Sequence, residues 1–310
     1  MAKAEVTVIL PGLAAILGQQ LNANILPTFL SKIIKQAQFG QDETRLQRLL
    51  LNHFSHQKHV GPDLPIAGLS LANSILVTPC YLHPDRDQLL LFSNNLAITD
   101  DESQSLIAEI QPLLDDFGGS LVKQRSDSWL LQLKHIPSLD FSALEDVANK
   151  GIEQTLPRGE DRQPWLRLWN EIQMQLHDAD INKQRVAQGK LPINSIWFWG
   201  AGEFFAKAGV WDKVQGCSDL LRLVARASNI ELEHSDDFSA TSLTSGNHLW
   251  LLEELDIEND WQQQLNDIDQ NILRPLWESC KAAKLSKVKL QIPDYGNYHF
   301  SPIDCWKFWK

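Results

Sequence analysis

Hydrophobic residues recur along this chain with two different spacings, and these spacings divide it into helices and strands. A spacing near 3.6 residues predicts helices over 25–38, 44–54, 101–117, 163–177, 217–227 and 258–283. Short apolar or alternating runs predict strands over 5–10, 74–82, 88–92, 119–124, 128–133, 194–199, 230–233, 247–253 and 286–292. Strand and helix patterns therefore alternate for most of the chain.

The block from 74 to 133 differs in kind from the rest. Each of its two strand pairs is joined without a helix, which predicts an antiparallel ββαββ arrangement, with Thr99 or Asp100 capping its helix. The alternation elsewhere predicts a mostly parallel sheet flanked by crossover helices. The sequence thus predicts a discontinuous α/β core, residues 1–77 with 141–310, and a small inserted antiparallel α+β domain at 78–140.

The segment 156–202 carries the strongest functional pattern. An amphipathic helix leads through a predicted polar turn to a short aromatic strand that ends at a glycine pair. Ligands of open α/β sheets bind just beyond the carboxyl ends of strands, and glycine allows a sharp turn or a close ligand approach there. We therefore predict a ligand-binding site formed by Asn182, Arg185, Asn194, Trp197, Trp199, Gly200 and Gly202.

The planar guanidinium of Arg185 suits a carboxylate or a phosphate, so the ligand predicted for this site is a small anion. The structural alternative is that Arg185 only bonds carbonyls at a helix end. In the same alternative, Trp197 and Trp199 fill a core or an interface, the usual place for such large side chains.

Composition narrows the class of protein. The 310 residues carry 28 basic and 39 acidic side chains, a net charge of −11, and the basic residues form no stripe. Nucleic acid is therefore not an expected partner, and no segment is apolar for long enough to span a membrane.

Cys80, Cys217, Cys280 and Cys305 lie far apart, which predicts reduced thiols and a cytoplasmic location. The start of the chain superficially resembles a signal peptide, but Glu5 interrupts it.

Two polar clusters have structural interpretations that we favour. His53, His56 and His59 are spaced as a metal patch on one helix would be, but no carboxylate adjoins them, so a solvated helix face is expected. The run 85–87, Asp-Arg-Asp, lies between two strands, where a turn is expected, and a polar cluster is the alternative. The aromatic tail 306–309 is expected to pack onto the core, and a partner-binding site is the alternative.

Several runs resemble known families. The run INKQRVAQGKLPINSIWFWGAG (181–202) is similar to a signature of archaeal-type cofactor-independent phosphoglycerate mutases, in the alkaline-phosphatase-like superfamily, and of the RpfE-type regulatory proteins. CYLHPDRDQLLLF (80–92), LPRGEDRQPWLRLWNEIQMQLH (156–177) and IDCWKFWK (303–310) resemble the second group. The resemblance implies an alkaline-phosphatase-like α/β core with an inserted cap.

The same resemblance implies a chemistry whose residues are largely missing here. The mutases use two divalent metals held by Asp and His, with a Ser nucleophile, whereas this first strand runs into Pro11 without a carboxylate. In IPDYGNYHF, Asp294 and Asn297 are kept and Tyr295 replaces a histidine. Asp256 matches another ligand whose companion histidine is absent. Ser70 is a weak nucleophile candidate in an apolar run. We predict that the metal centre has decayed.

Two functions follow from these observations. We favour a non-catalytic regulatory or small-anion-binding protein on a degenerate phosphoglycerate-mutase-like scaffold, without a cofactor, whose partners are a small anionic ligand or another protein. The alternative is a metal-dependent phosphoryl-transfer enzyme, a mutase or a phosphatase, using Ser70 with two Mn or Zn ions at Asp256 and Asp294.

Overall fold

The computed structural model describes residues 3–18, 26–148, 150–234, 238–239, 243 and 245–306. It divides into two compact units, one made of residues 1–58 and 205–310 and the other of residues 59–204. The second unit is therefore inserted between two segments of the first. The domain boundaries expected from the sequence, at 78 and 140, both fall inside the second unit.

Helices and strands follow one another in each of the three chain segments that make up these units. The first segment contains β1 (Ala4–Ile9), α1 (Leu13–Gly18), α2 (Thr28–Gln36), β2 (Gln38–Asp42) and α3 (Leu46–Phe54). The second unit contains a 3-10 helix (Ala67–Leu69), β3 (Ser74–Asp85), β4 (Gln88–Phe92), α4 (Asp100–Phe117), β5 (Gly119–Arg125), β6 (Ser128–Leu133), β7 (Leu139–Asp140), α5 (Leu144–Val147), β8 (Arg158–Gly159), α6 (Arg162–Asp178), α7 (Asp180–Ala187) and β9 (Ser195–Trp199). The last segment contains β10 (Lys213–Gln215), α8 (Asp219–Ala227), β11 (Leu232–Glu233), β12 (Asn247–Leu251), α9 (Trp261–Ile268), a π-helical stretch (Asp269–Leu273), α10 (Arg274–Lys281), β13 (Leu285–Ile292), β14 (Tyr295–Phe300) and a 3-10 helix (Asp304–Trp306).

The first unit is built on a seven-stranded sheet in the order β11-β10-β12-β1-β13-β14-β2. The first five strands are mutually parallel, and β14 is antiparallel to both of its neighbours. The helix α8 lies between β10 and β11, and α9 and α10 lie between β12 and β13, as the alternation in the sequence predicts. The predicted α/β class with a mostly parallel sheet is confirmed.

One face of this sheet carries the main core of the first unit. Alternate residues of the central strands, such as Val6, Val8 and Leu290, pack against side chains of α1, α2, α9 and α10. Asp269, fully buried, joins the π-helical stretch between α9 and α10 to α2. Its carboxylate accepts hydrogen bonds from the backbone amide of Leu30 at 2.7 Å and from that of Phe29 at 3.2 Å. These amides lie in the first turn of α2, whose own N-cap residue makes no side-chain cap, so Asp269 caps the helix from a distance.

The second unit contains an antiparallel sheet in the order β4-β3-β6-β5, with β9 also paired to β3. The strand pairs predicted between 74 and 133 are observed, and Thr99 forms the capping box of α4 with Glu102. The strand predicted over 194–199 exists as β9, but placing it in the parallel sheet was wrong. It runs antiparallel to β3, with Leu76 opposite Trp199 and Cys80 opposite Ser195. A short, wholly apolar strand looks the same in either kind of sheet.

Several elements differ from the prediction or were not predicted, among them the short strand β10 of the parallel sheet. The helix predicted over 25–38 spans Thr28–Gln36 and is followed by the exposed edge strand β2; residue 25 lies outside the described residues. The segment 295–300 forms β14, the second strand of a hairpin with β13. The polar turn predicted around 182–185 is the helix α7. No helix among the described residues is long and apolar enough to cross a membrane.

Candidate functional site

The carboxyl ends of the parallel strands border an open cleft of about 410 Å³. Because ligands of open α/β sheets bind at this edge, the cleft is the candidate ligand-binding site of the first unit. Its lining comes from the ends of three strands and the start of α3, and consists of Pro11, Leu46, Cys217, Ser218, Leu251, Leu252, Glu253 and Glu254.

Backbone packing closes part of this edge. Gly12 has φ +83°, and a Cβ there would lie 2.9 Å from both the backbone nitrogen and the backbone oxygen of Leu255. The Leu255 amide donates to the carbonyl of Pro11 at 3.2 Å. The loop after β1, where the resembling mutases carry a metal-binding carboxylate, is therefore held against its neighbour by main-chain contacts.

The weak candidates for metal binding, Asp256 and Asp294, lie in turns, and the weak nucleophile candidate lies in the other unit. Asp256 is exposed in an ordinary turn, and its carboxylate accepts the side-chain amide of Asn259 and the backbone amides of Asn259 and Glu258. These bonds, the side-chain bond from Asn259 first, lower the pKa of its carboxyl. Asp294 is exposed in the tight turn between β13 and β14 at φ 62°, and its amide donates to the carbonyl of Thr44. Ser70, exposed after a 3-10 helix, belongs to the other unit.

Among the described residues, no three His, Cys, Asp or Glu side chains are grouped so that they could hold a metal ion. A pair of divalent cations needs several such ligands converging from different loops. The residues that the structure describes therefore do not fit the two-metal centre of the resembling enzymes.

A polar chain of four side chains lies on the sheet face opposite the main core. His53 Nε2 donates to Gln291 Oε1 at 2.5 Å, Gln291 Nε2 donates to Asn297 Oδ1 at 2.9 Å, and Asn297 Nδ2 donates to Asp42 Oδ2 at 3.0 Å. Gln291 is only 1% exposed. The expectation that His53 lies on a solvated helix face is therefore wrong; His56 is exposed but lies beyond the end of α3.

Protonation at both ends of this chain is shifted. Burial lowers the pKa of His53 to about 4, against the effect of its bond to Gln291, and the positive charge of Lys289 acts in the same direction as burial. Burial alone would raise the pKa of Asp42, but hydrogen bonds from Thr44 and Asn297 outweigh it and lower the pKa. The chain therefore runs from a neutral imidazole to a carboxylate. No sequence pattern signals it, because its members come from four separate elements.

In the second unit, Arg185 is fully buried and makes three hydrogen bonds within the protein. Nη1 donates to Glu102 Oε2 at 2.8 Å, Nη2 to the carbonyl of Leu96 at 2.6 Å and Nε to the carbonyl of Leu191 at 2.9 Å. Lys190 lies 3.2 Å from the other oxygen of Glu102. A free anion could reach this guanidinium only by displacing Glu102.

Glu102 is ionised by its surroundings. Burial alone would raise the pKa of its carboxyl, but the Thr99 amide, Lys190 and Arg185 outweigh burial and lower it. The ion pair with Arg185 therefore joins the start of α4 to α7 and to the loop before β9. The Thr99–Glu102 spacing signals a capping box in the sequence, but nothing there indicates that the same carboxylate also receives an arginine from 83 residues away.

The side chains of the two predicted asparagines form hydrogen bonds with backbone amides and carbonyls, as a neighbouring strand would. Asn182 is buried, donates to the carbonyls of Leu176 and Ile193 and accepts the amide of Ile193 at 2.7 Å. Asn194 accepts the amide of Leu82 at 2.8 Å and donates to the carbonyl of the same residue at 3.0 Å. Both side chains thus hold the loop that leads into β9.

The aromatic residues of β9 are buried and hydrogen-bonded. The indole of Trp197 donates to the carbonyl of Ser142, and that of Trp199 donates to the hydroxyl of Thr78, each at 2.9 Å. Trp169 from α6 crosses Trp197 edge to face, with ring centroids 6.1 Å apart. This arrangement matches the alternative in which these residues fill a core.

The glycine turn after β9 already binds an anion, which is the carboxylate of Asp63. Its Oδ1 accepts the amide of Gly200 at 2.7 Å and its Oδ2 accepts that of Ala201 at 2.8 Å. Oδ1 also accepts the amide of Leu64 at 2.8 Å. Gly200 and Gly202 have φ of +81° and +111°, the left-handed region that glycine adopts readily. The predicted binding of an external ligand at these residues requires Asp63 to move.

The run 85–87 forms the tight turn between β3 and β4, with Asp85 paired to Gln88 across it and Arg86 at φ 54°. The turn that we favoured there is therefore observed.

Of the aromatic tail, only Trp306 is described; its ring lies 4.5 Å from Lys281 Nζ, and its indole donates to the carbonyl of Lys281 at 3.3 Å. Residues 307–310 lie outside the described residues.

Comparison with known proteins gives partial matches to phosphoglycerate mutases. The chain is 30% identical over 93 residues to a probable 2,3-bisphosphoglycerate-independent phosphoglycerate mutase of Geobacter sulfurreducens, a match that covers 28% of this chain and 23% of that protein. It is 23% identical over 177 residues to the corresponding mutase of Methanosarcina acetivorans, covering 48% of this chain and 45% of that protein. These matches span less than half the length of either relative. No family model matches the chain.

Two solved structures resemble the whole chain. A protein from Pyrococcus horikoshii has a TM-score of 0.50 at 13% identity, covering 97% of this chain and 88% of that one. A cofactor-independent phosphoglycerate mutase from Thermoplasma acidophilum has a TM-score of 0.44 at 14% identity, covering 96% of this chain and 89% of that one. The first shows a shared fold and nothing about activity. The partial sequence matches support a relation to phosphoglycerate-mutase-like proteins.

Proposed function

We propose that this chain is a non-catalytic regulatory or small-anion-binding protein on a degenerate phosphoglycerate-mutase-like scaffold, with the inserted antiparallel domain as its cap. One observation carries the proposal. Among the described residues, no group of three or more metal-binding side chains converges anywhere, the carboxyl edge of the parallel sheet included. Phosphoryl transfer depends on positive charge that neutralises the transferring group, and two metal ions are a main source of it in such enzymes.

The chemistry of the cleft supports the same proposal. Its only charged lining residues are Glu253 and Glu254, both exposed. Two neighbouring carboxylates repel a phosphate unless cations lie between them and it. Pro11 and Leu252 occupy the ends of the two central strands, where carboxylate or imidazole ligands would be needed.

The regulatory part of the proposal rests on the resemblance to RpfE-type regulatory proteins along 80–92, 156–177 and 303–310. Such a protein acts by binding a small anionic ligand or another protein, and we expect it to need no cofactor. The cytoplasmic location inferred from the cysteine spacing belongs to this proposal as well.

A turnover assay tests the proposal. Purified full-length protein should not hydrolyse p-nitrophenyl phosphate, and should not interconvert 2- and 3-phosphoglycerate, with Mn²⁺, Zn²⁺ or EDTA present. Turnover that requires metal, disappears with EDTA and is lost in Asp294→Ala would overturn it. Asp267→Ala, which removes an exposed carboxylate on α9, is the matched control.

A metal-dependent phosphoryl-transfer enzyme is the second candidate, because the curated relatives are phosphoglycerate mutases. In that case Ser70 would be the nucleophile, and Asp256 and Asp294 would bind two Mn or Zn ions. Loss of turnover in Ser70→Ala as well as in Asp294→Ala would favour this enzyme.

A further inference from the structure

Three basic side chains lie together on the face of the sheet opposite the main core. Lys287 and Lys289 are two residues apart on β13, so they point to the same side of the strand. Lys289 pairs directly with His299 on the neighbouring strand β14. Residues paired directly across two antiparallel strands have Cβ atoms roughly 5 Å apart. This basic cluster, Lys287, Lys289 and His299, lies in a chain whose net charge is −11.

No direct contact with a carboxylate neutralises the basic cluster among the described residues. Within the described ranges, none of its three side chains makes a hydrogen bond or a salt bridge, and His299 Nδ1 is buried without a partner. The carboxylate of Asp42 acts on Lys289 through its charge, and its Oδ2 accepts a hydrogen bond from the side-chain amide of Asn297. Glu5 lies beside Lys287 on β1, at the outer end of the cluster.

Electrostatics show how closely the three groups interact. Burial lowers the pKa of His299, and the charges of Lys289 and Lys287 lower it further. Burial also lowers the pKa of Lys289, and Lys287 adds to that effect. Like charges that are partly withdrawn from water destabilise one another, and a bound anion removes that penalty.

We propose that Lys287, Lys289 and His299 form a binding site for a small oxyanion of the phosphate type. The two ammonium groups supply charge and several donors, and the imidazole of His299 lies beside them with an Nδ1 that has no hydrogen-bond partner in the protein. This inference rests on the anion-binding part of the proposed function, and it locates the anion on the sheet of the first unit instead of at Arg185.

Inorganic phosphate is the probe that tests this site. Full-length protein is freed of metal with EDTA and titrated with phosphate while the imidazole Cε1–H signal of His299, assigned with His299→Gln, is followed by NMR. Phosphate should shift this signal in a saturable manner and raise the pKa of His299. In Lys289→Gln the affinity for phosphate should fall roughly tenfold or more, since one charge-assisted hydrogen bond is lost.

Lys284→Gln is the matched control, because Lys284 is exposed just before β13 and lies outside the basic cluster; it should leave the affinity unchanged. Chloride at equal ionic strength should not reproduce the shift. The absence of a saturable shift at millimolar phosphate, or equal loss in both lysine variants, would overturn the site. Metal-dependent turnover with an intact phosphate shift would refute only the non-catalytic proposal.

Discussion

Replacing Glu102 by glutamine tests whether the arginine of the 181–202 run is structural. Arg185 is fully buried, and Glu102 supplies the charge that faces it at 2.8 Å. Glutamine keeps the shape and one acceptor but leaves the guanidinium charge unpaired in the interior. Breaking a buried ion pair from one side costs about 3–5 kcal/mol, and the shared capping box of α4 adds about 1 kcal/mol at most. We expect the free energy of unfolding to fall by about 3 kcal/mol.

The assay is chemical unfolding followed by tryptophan fluorescence, which reports on Trp165, Trp169, Trp197 and Trp199 in the same unit. Arg185→Met removes the charge and fills much of the volume. The double variant Glu102→Gln with Arg185→Met should lose less stability than the two single losses added together, by about 2 kcal/mol or more, because neither charge is then left alone.

The pH dependence of this ion pair has a definite sign. Because the folded protein lowers the pKa of Glu102, its contribution is complete above the ordinary carboxyl pKa and is lost as the pH falls through the lowered value. Glu102→Gln should therefore remove part of the acid sensitivity. Stability of Glu102→Gln within about 0.5 kcal/mol of the parent, or phosphate that stabilises the parent but not Arg185→Met, would refute the structural role.

Three further predictions concern single contacts. Asp63→Ala should lower the free energy of unfolding by about 2 kcal/mol, since three backbone amides lose their acceptor; thermal unfolding measures this, and Asp63→Asn should lose less. His53, with its pKa lowered to about 4, should make the parent less stable as the pH falls from about 6.5 towards 4; this dependence should be weaker in His53→Gln and unchanged in His56→Gln, and equal pH profiles would contradict it. Asp269→Ala should cost about 2 kcal/mol by uncapping α2, seen as faster amide hydrogen exchange in the first turn of that helix, and unchanged exchange there would argue against the cap.

Much of the fold follows from the hydrophobic pattern, because long periodic segments determine their own elements. The helix α4, its capping box and the hairpins around it lie where the sequence predicts them. The pairing of β9 with β3 could not be predicted in this way. Its five residues are all buried, so its pattern does not distinguish a parallel neighbour from an antiparallel one.

The functional pattern was harder to interpret than the fold. The residue types of Asn182, Arg185 and the glycine turn suit an anion, and the sequence therefore predicts an anion site there. The structure supplies that anion from within, as Glu102 at Arg185 and as Asp63 at Gly200. These partners lie 83 and 137 residues away in the sequence, and no local sequence pattern predicts such a contact. The basic cluster on β13 and β14 was missed for the opposite reason, because 295–300 was not recognised as a strand.

The metal content of the protein tests the central claim most directly. Full-length protein is incubated with Mn²⁺ and with Zn²⁺, passed over a desalting column and analysed by inductively coupled plasma mass spectrometry. A scaffold that has lost its two-metal centre should retain well below one equivalent of either ion. Two equivalents retained by the parent, and fewer by Asp294→Ala, would contradict the account and establish the enzyme in its place.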